Sequence, residues 1–273
     1  MSTVFEEFPP EVPHQPELVS MTREGDLVTF RIERQEVMNC LSFPTLRRFR
    51  GLLEEVAADL TIRCILITGA GEKAFCAGAD LKERRTMDPA LVPEFVRNIR
   101  ALMDDVENLP QPTIAVVNGF AFGGGTELML ACDLRVAAEE ARFGLTEVTL
   151  AIIPGAGGTQ RLPRLVGKSR AKDLILTGRK FDAAEAMEIG LVNRCVPRAE
   201  LNECASQLAR DIAANGPVAV RAAKRAIDQG GEAPLPRGLE IEAECYGLVL
   251  PTQDRLEALS AFAEKRPPTY QGR

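Results

Sequence analysis

The chain has one histidine, no tryptophan and two tyrosines in 273 residues, and these shortages narrow its chemistry before any motif is read. The histidine, His14, lies in the proline-rich stretch Phe8 to Pro16, a composition that predicts an extended tail over residues 1–17 rather than a packed element. The folded body then has no imidazole, which removes Ser-His-Asp and Cys-His nucleophilic chemistry and argues against a histidine-based zinc or iron site. A general acid or base must be a carboxylate, or else a Lys, Tyr or Cys. Long apolar runs are also missing: none approaches the roughly 18 to 20 residues that cross a bilayer. The amino terminus lacks the charged-then-apolar pattern of a secretory signal, and Glu6, Glu7 and Glu11 stand where transit peptides avoid acid. The expectation is a cytoplasmic protein without a membrane partner.

Basic charge is in short supply, with 33 Lys and Arg against 39 Asp and Glu, a net charge of -6 and a pI of about 5.2. That balance is the opposite of a nucleic-acid-binding face. The seven cysteines are scattered, odd in number and nowhere spaced C-x-x-C, which reads as reduced thiols filling core positions.

What the chain does contain, at 45% hydrophobic, suffices for one substantial core. Leu27 to Ile32 reads as a strand, and Ser42 opens a helical pattern with Leu46, Phe49, Leu52, Leu53 and Val56 on one face. Cys64 to Ile67 is wholly apolar and bounded by Gly69 and Gly71, which suits a strand buried on both faces. A second amphipathic helix carries Val92, Phe95, Ile99, Leu102, Met103 and Val106, and Thr113 to Val117 makes another buried strand. Then follow Gly119, Gly123 to Gly125, a helical stretch Thr126 to Cys132 and a strand at Leu134 to Ala137. The recurring order of strand, glycine turn and helix predicts an α/β protein. From Arg198 onward only helical patterns remain. No repeat of fixed period is visible, although successive units can still stack as a spiral.

The glycines do not spell a nucleotide loop. A G-x-G-x-x-G motif from Gly155 would need glycine where Gln160 stands, and a P-loop ending at Gly167-Lys168-Ser169 would need its first glycine at Leu162. Gly167 reads as a helix boundary. Gly123-Gly124-Gly125 differs, because it leaves backbone NH groups uncovered at the positive end of a helix. Cys76-Ala77-Gly78-Ala79-Asp80 is a second small-residue turn after a strand. Two NH donors from two such loops suit one thioester oxygen, each worth about 3 kcal/mol of transition-state stabilisation.

Three segments carry a family resemblance: Ala74 to Lys82, Gly119 to Glu127, and Ile153-Pro154-Gly155-Ala156-Gly157-Gly158-Thr159-Gln160-Arg161-Leu162. They resemble the signature blocks of the crotonase (enoyl-CoA hydratase) family. The likeness runs from about Leu18, through Arg34 to Leu41, to Phe262, Lys265, Arg266, Pro267 and Pro268. It implies a crotonase-like spiral of strand-turn-helix units over residues 18–197, and a helical region over 198–273 that builds a homotrimer or a dimer of trimers. It places the oxyanion donors at the backbone NH groups of Ala79 and Gly124 and the catalytic carboxylates at Glu127 and Glu147. It also places coenzyme A and substrate against Leu41, Ala77, Gly78, Asp80, Leu81, Gly123, Pro154, Gly155 and Phe262, with Lys82 and Lys265 as candidate phosphate partners. Coenzyme A is then part of the substrate, with no separate cofactor and no metal.

Within the family, Cys76 to Arg84, Leu150 to Leu162, Glu242-x-x-Cys245-Tyr246 and Pro251 to Glu257 look most like the methylglutaconyl-CoA hydratase branch. Both glutamates are present, which favours hydration or its reverse over the isomerases and decarboxylases that commonly lack one. The resemblance assigns Glu127 to orient the water and take its proton and Glu147 to protonate the α-carbon. Opposite protonation states are needed, and an apolar wall of Ala151, Ile152 and Ile153 is expected to help keep one glutamate neutral. Arg84 and Arg85 are candidates for a distal carboxylate. Some relatives in this branch bind AU-rich RNA through a row of lysines on the first helix. Here Leu41 to Leu60 has no lysine, only Arg47, Arg48 and Arg50 beside acids.

Overall fold

The computed structural model describes Phe8, Pro9 and residues 12–273; the acids Glu6, Glu7 and Glu11 fall outside the described residues. Strands β1 (Val19–Glu24) and β2 (Leu27–Ile32) form an antiparallel hairpin, and β2 pairs in parallel with β3 (Cys64–Gly69). Between them runs helix α1 (Phe43–Ala57), capped by Ser42, whose hydroxyl accepts from the Thr45 NH at 3.4 Å. The apolar stripe read from the sequence is the face it buries.

After β3 come β4 (Ala74–Cys76), the short α2 (Leu81–Thr86) and α3 (Val92–Glu107). The next units are β5 (Thr113–Val117), β6 (Phe120–Phe122) and α4 (Gly124–Ala131), then β7 (Leu134–Ala138), β8 (Arg142–Gly144) and α5 (Gly158–Val166). Each longer strand joins one sheet and the short strand after it joins another. With β9 (Phe181–Asp182) and β10 (Arg194–Val196), the sheets have the orders β1-β2-β3-β5-β7-β10 and β4-β6-β8-β9. This is a spiral of strand-strand-helix units. Their starts at 64, 113 and 134 are unevenly spaced, so the sequence carries no fixed period.

Alternation along the central strands explains their continuous apolar character. Ile65 and Ile67 join the main core with Phe30, Phe49, Leu102 and Met129, whereas Cys64 and Leu66 face the other way with Ile114, Val116 and Val136. That second face is covered by Leu201, Ala205 and Ala209 of α8 (Leu201–Ala213). Full burial of each large side chain contributes about 1.5–3 kcal/mol relative to exposure. Helices α6 (Lys168–Thr177) and α7 (Ala183–Glu188) close the spiral, and Gly167 caps the end of α5 and the start of α6. All seven cysteines are free thiols; burial pushes Cys64, Cys76 and Cys132 up to about 12 and Cys40 up to about 11. Such thiols are poor nucleophiles near neutrality.

Within the segment expected as a tail, Phe8 and Val12 are buried: Phe8 meets Phe43 edge-on at 6.3 Å, and Arg47 donates to the Val12 carbonyl. The other α1 arginines are also turned to the fold. Arg48 donates to the Val19 carbonyl at 3.3 Å, and the buried Arg50 reaches Asp105 at 2.5 Å and Asn98 at 2.9 Å.

Helices α9 (Pro217–Gly231), α10 (Leu235–Val249) and α11 (Gln253–Glu264) follow, with α9 and α10 packed through Ala222, Ile241 and Cys245. Lys224 anchors them to the spiral through Asp133 at 2.8 Å, and Arg63 donates to the carbonyls of Ala213 and Tyr270 at 2.8 and 2.7 Å. Many of their apolar side chains remain in solvent, among them Leu235, Leu239, Leu256, Leu259 and Phe262. Among the described residues, no helix is long and apolar enough to cross a membrane.

Candidate active site

Strand β6 delivers the chain to Gly123, whose φ of 51° and ψ of -123° suit a residue without a side chain. Its NH donates to the Gly144 carbonyl at 2.8 Å, and α4 begins at the next residue. Thr126 staples this turn from inside, donating to the carbonyls of Ala121 and Gly144 at 2.7 and 3.1 Å. Glu127 is therefore fixed in the first turn of α4, facing inward and only 3% exposed.

The two small-residue loops expected to supply the oxyanion donors meet at this point. Leu41, fully buried, forms a bridge with the second loop: its NH donates to the Gly78 carbonyl at 2.8 Å, and its carbonyl accepts from Asp80 at 2.9 Å. The bridge leaves the Ala79 NH unused. Gly124 opens α4, so its NH has no intrahelical partner. The loops touch closely, since a Cβ placed on Gly124 would stand 3.7 Å from the Ala79 nitrogen. A Cβ on Gly78 would lie 2.8 Å from the Phe122 carbonyl oxygen and 3.0 Å from the Gly124 nitrogen. The backbone thus brings the two expected donors together.

Glu147 opens the 3-10 turn Glu147–Leu150 after β8. A Cβ on Gly123 would stand 3.2 Å from its Oε1, which places this carboxyl beside the glycine turn. Its other oxygen is buried without a hydrogen-bond partner. Burial, and then the neighbouring charge of Glu127, push its pKa up to about 7. Glu127 is also raised by burial, but its Oε1 accepts two backbone donors, Ala156 and Gly158, each at 2.8 Å, which favour its ionised form. Two carboxyls of the same type therefore lie close enough to interact in unlike surroundings: burial raises both, but only Glu127 has backbone donors that oppose the rise.

The remaining expected residues divide. Ala77, Gly78, Asp80, Leu81 and Lys82 follow one another along the loop into α2, with Leu81 and Lys82 exposed at its start. Asp80 acts locally, capping α2 by accepting from Lys82 and Glu83 at 3.1 and 3.2 Å, and it pairs with Arg34 at 2.9 Å. Pro154 is buried beside Gly158, and a Cβ on Gly155 would meet Val96 of α3 at 3.5 Å. Arg84 is half-buried and Arg85 exposed in the last turn of α2. Phe262, 86% exposed, and Lys265 stand on α11 and its cap, and among the described residues no hydrogen bond or ion pair joins either to the loops around Glu127.

The expected wall of Ala151, Ile152 and Ile153 is exposed at the surface, with Ile153 at 69%. The Ala156 and Gly158 amides that hold Glu127 were not singled out from the sequence, although both lie inside the third motif. A cleft of about 580 Å³ lined by Arg170, Asp173, Arg179 and Glu185 shares none of the site residues.

Comparisons with known proteins give the family and the fold. A family model described as enoyl-CoA hydratase/isomerase matches residues 22–273. The chain is 48% identical to a probable mitochondrial enoyl-CoA hydratase 2 of Arabidopsis thaliana, covering 94% of this chain and 87% of the relative. It is likewise 48% identical to the human mitochondrial methylglutaconyl-CoA hydratase, covering 90% and 74%. Among solved structures, the enoyl-CoA hydratase from Bacillus anthracis superposes with a TM-score of 0.93 at 52% identity, covering 94% of this chain and 100% of that one. The crotonase-like spiral expected from the motifs is borne out, and the chain belongs to the enoyl-CoA hydratase/isomerase family.

Proposed function

We propose that this protein is a hydro-lyase that adds water reversibly across the α,β double bond of an enoyl-CoA thioester. The observation that carries the reading is the Glu127 and Glu147 pair, one carboxylate held by two amides and the other raised to about 7, beside the paired NH groups of Ala79 and Gly124. The thioester oxygen accepts from those two amides, which stabilise the charge that develops as the enolate forms. Glu127 orients a water and takes one of its protons as the oxygen bonds to the β-carbon. Glu147 gives its proton to the α-carbon. One water is consumed, and the two carboxyls exchange protonation states until a proton returns.

No cofactor is consumed, because coenzyme A belongs to the substrate. Its pantetheine arm lies along the Ala77–Ala79 loop, which the buried Leu41 supports from behind, and Lys82 and Lys265 serve its phosphates. Among acyl groups, 3-methylglutaconyl is favoured by the likeness to the methylglutaconyl-CoA hydratase, and crotonyl by the relatives named simply as enoyl-CoA hydratases. The exposed apolar side chains of α9 to α11 support a homotrimer or a dimer of trimers.

The test follows enoyl absorbance with crotonyl-CoA and 3-methylglutaconyl-CoA, using wild type, Glu127→Gln and Glu147→Gln. Loss of absorbance by wild type is expected, with each variant slower by about 10²–10⁴-fold, the usual contribution of a positioned acid or base. Conversion of a 3-enoyl-CoA without any hydroxyacyl product would instead identify an isomerase.

A further inference from the structure

Arg161 lies one turn into α5, its side chain 13% exposed, and its guanidinium reaches two elements at once. On one side it grips the last turn of α3: Nε and Nη2 donate to the two oxygens of Glu107 at 3.0 and 2.5 Å, and Nη2 also meets Asp104 at 3.0 Å. That bidentate pairing fixes the plane of the fork. On the other side Nη1 donates to the Ala156 carbonyl at 2.9 Å. The NH of the same Ala156, and that of Gly158, are the two donors to Glu127. Gly157 between them has φ +105°, which favours glycine, and the position its Cβ would take lies 2.0 Å from Nη1, so the guanidinium packs directly on the turn.

Resting on the hydratase reading above, we propose that Arg161 is a positioning residue: it clamps the Ala156–Gly158 turn to the end of α3 and so keeps two backbone donors aimed at one oxygen of Glu127. Its charge also favours the ionised form of Glu127. A surface ion pair that merely decorates α3 would not need the bond to Ala156.

The test compares wild type, Arg161→Met, Arg161→Lys and Glu107→Gln. For Arg161→Met, kcat with crotonyl-CoA is expected to fall by about 10²-fold, the scale of a reacting group displaced by about 1 Å. KM should stay within about twofold of wild type, because Arg161 itself is not among the expected coenzyme A contacts. The acid limb of the kcat/KM profile should move to higher pH. Arg161→Lys keeps the charge without the fork, so it should restore the limb but not kcat. Glu107→Gln, which retains Arg161 with a weakened anchor, should shift both in the same direction by less, and it serves if Arg161→Met does not fold.

An infrared titration of the carboxyl bands, with the Glu127 band identified by its loss in Glu127→Gln, gives a readout independent of turnover. An inactive wild type would count against the hydratase reading, while an upward shift of this band in Arg161→Met would still support the clamp. A kcat within twofold of wild type, or an unmoved Glu127 band in a folded variant, overturns the proposal.

Discussion

Glu127 and Glu147 differ only in what surrounds them. Glu127 has two amides on one oxygen, whereas Glu147 has a buried oxygen without a partner and feels the charge of Glu127. The protonated form of Glu147 is lost as pH rises through about 7, so kcat/KM is expected to decline on the alkaline side of that value. An alkaline limb unchanged in Glu147→Asp and Glu147→Gln would assign the acid to another group.

The same shift has a consequence for stability. The folded-state pKa of about 7 lies above the ordinary 4.5, so the folded chain holds a proton that the unfolded chain releases between those values. This contribution is complete below 4.5 and disappears as pH rises through about 7. Glu147→Gln is neutral throughout, so its Tm advantage over wild type is expected to widen from about pH 5 to about pH 8. A constant difference across that range would mean that Glu147 ionises as freely in the folded protein as outside it.

At the scale of the element, the Cys76–Asp80 loop owes its position to the helix that follows. Burial works against the charge of Asp80, but Arg34 and the NH groups of Glu83 and Lys82 outweigh it and hold the carboxyl below its ordinary value. The same side chain that starts α2 thereby fixes the residue next to Ala79. Asp80→Ala is expected to cost about 1 kcal/mol for the cap alone, and to reduce kcat/KM with both glutamates intact. Urea unfolding and initial rates measured together check this, and an unchanged rate beside lost stability would separate the cap from the donor.

At the scale of the whole molecule, α8 covers one sheet face of the spiral, while α9 to α11 present leucines and Phe262 to solvent. Patches of this kind mark interaction surfaces. If they join copies of this chain, the pair Leu259→Asp and Phe262→Asp should reduce the mass seen by light scattering from that of a trimer or hexamer toward that of the 29.7 kDa chain. A monomeric wild type would exclude that use of the surface.

Much of the architecture was readable from local patterns. The stripe of α1, the two-faced apolar run of β3 and the glycine turn before α4 are short-range signals, set by side-chain period and backbone freedom. The motifs around Ala79, Gly124 and Glu127 marked the candidate site for the same reason, since each block is contiguous, while Glu147 was marked by the family resemblance between two of them. Strands β4, β6 and β8, at three residues each, are too short to show a period. The burial of Phe8 and Val12 depends on a surface that exists only after α1 has folded.

What the sequence determined alone was therefore the inventory: one histidine, near the amino terminus, two glutamates marked by the family resemblance, and two loops of small residues. Only the tertiary structure decided that the amides of Ala156 and Gly158, 29 and 31 residues away, hold Glu127, and that Arg161 ties their turn to α3. Protonation follows environment rather than residue type, and that environment is assembled from chain segments that no local pattern connects.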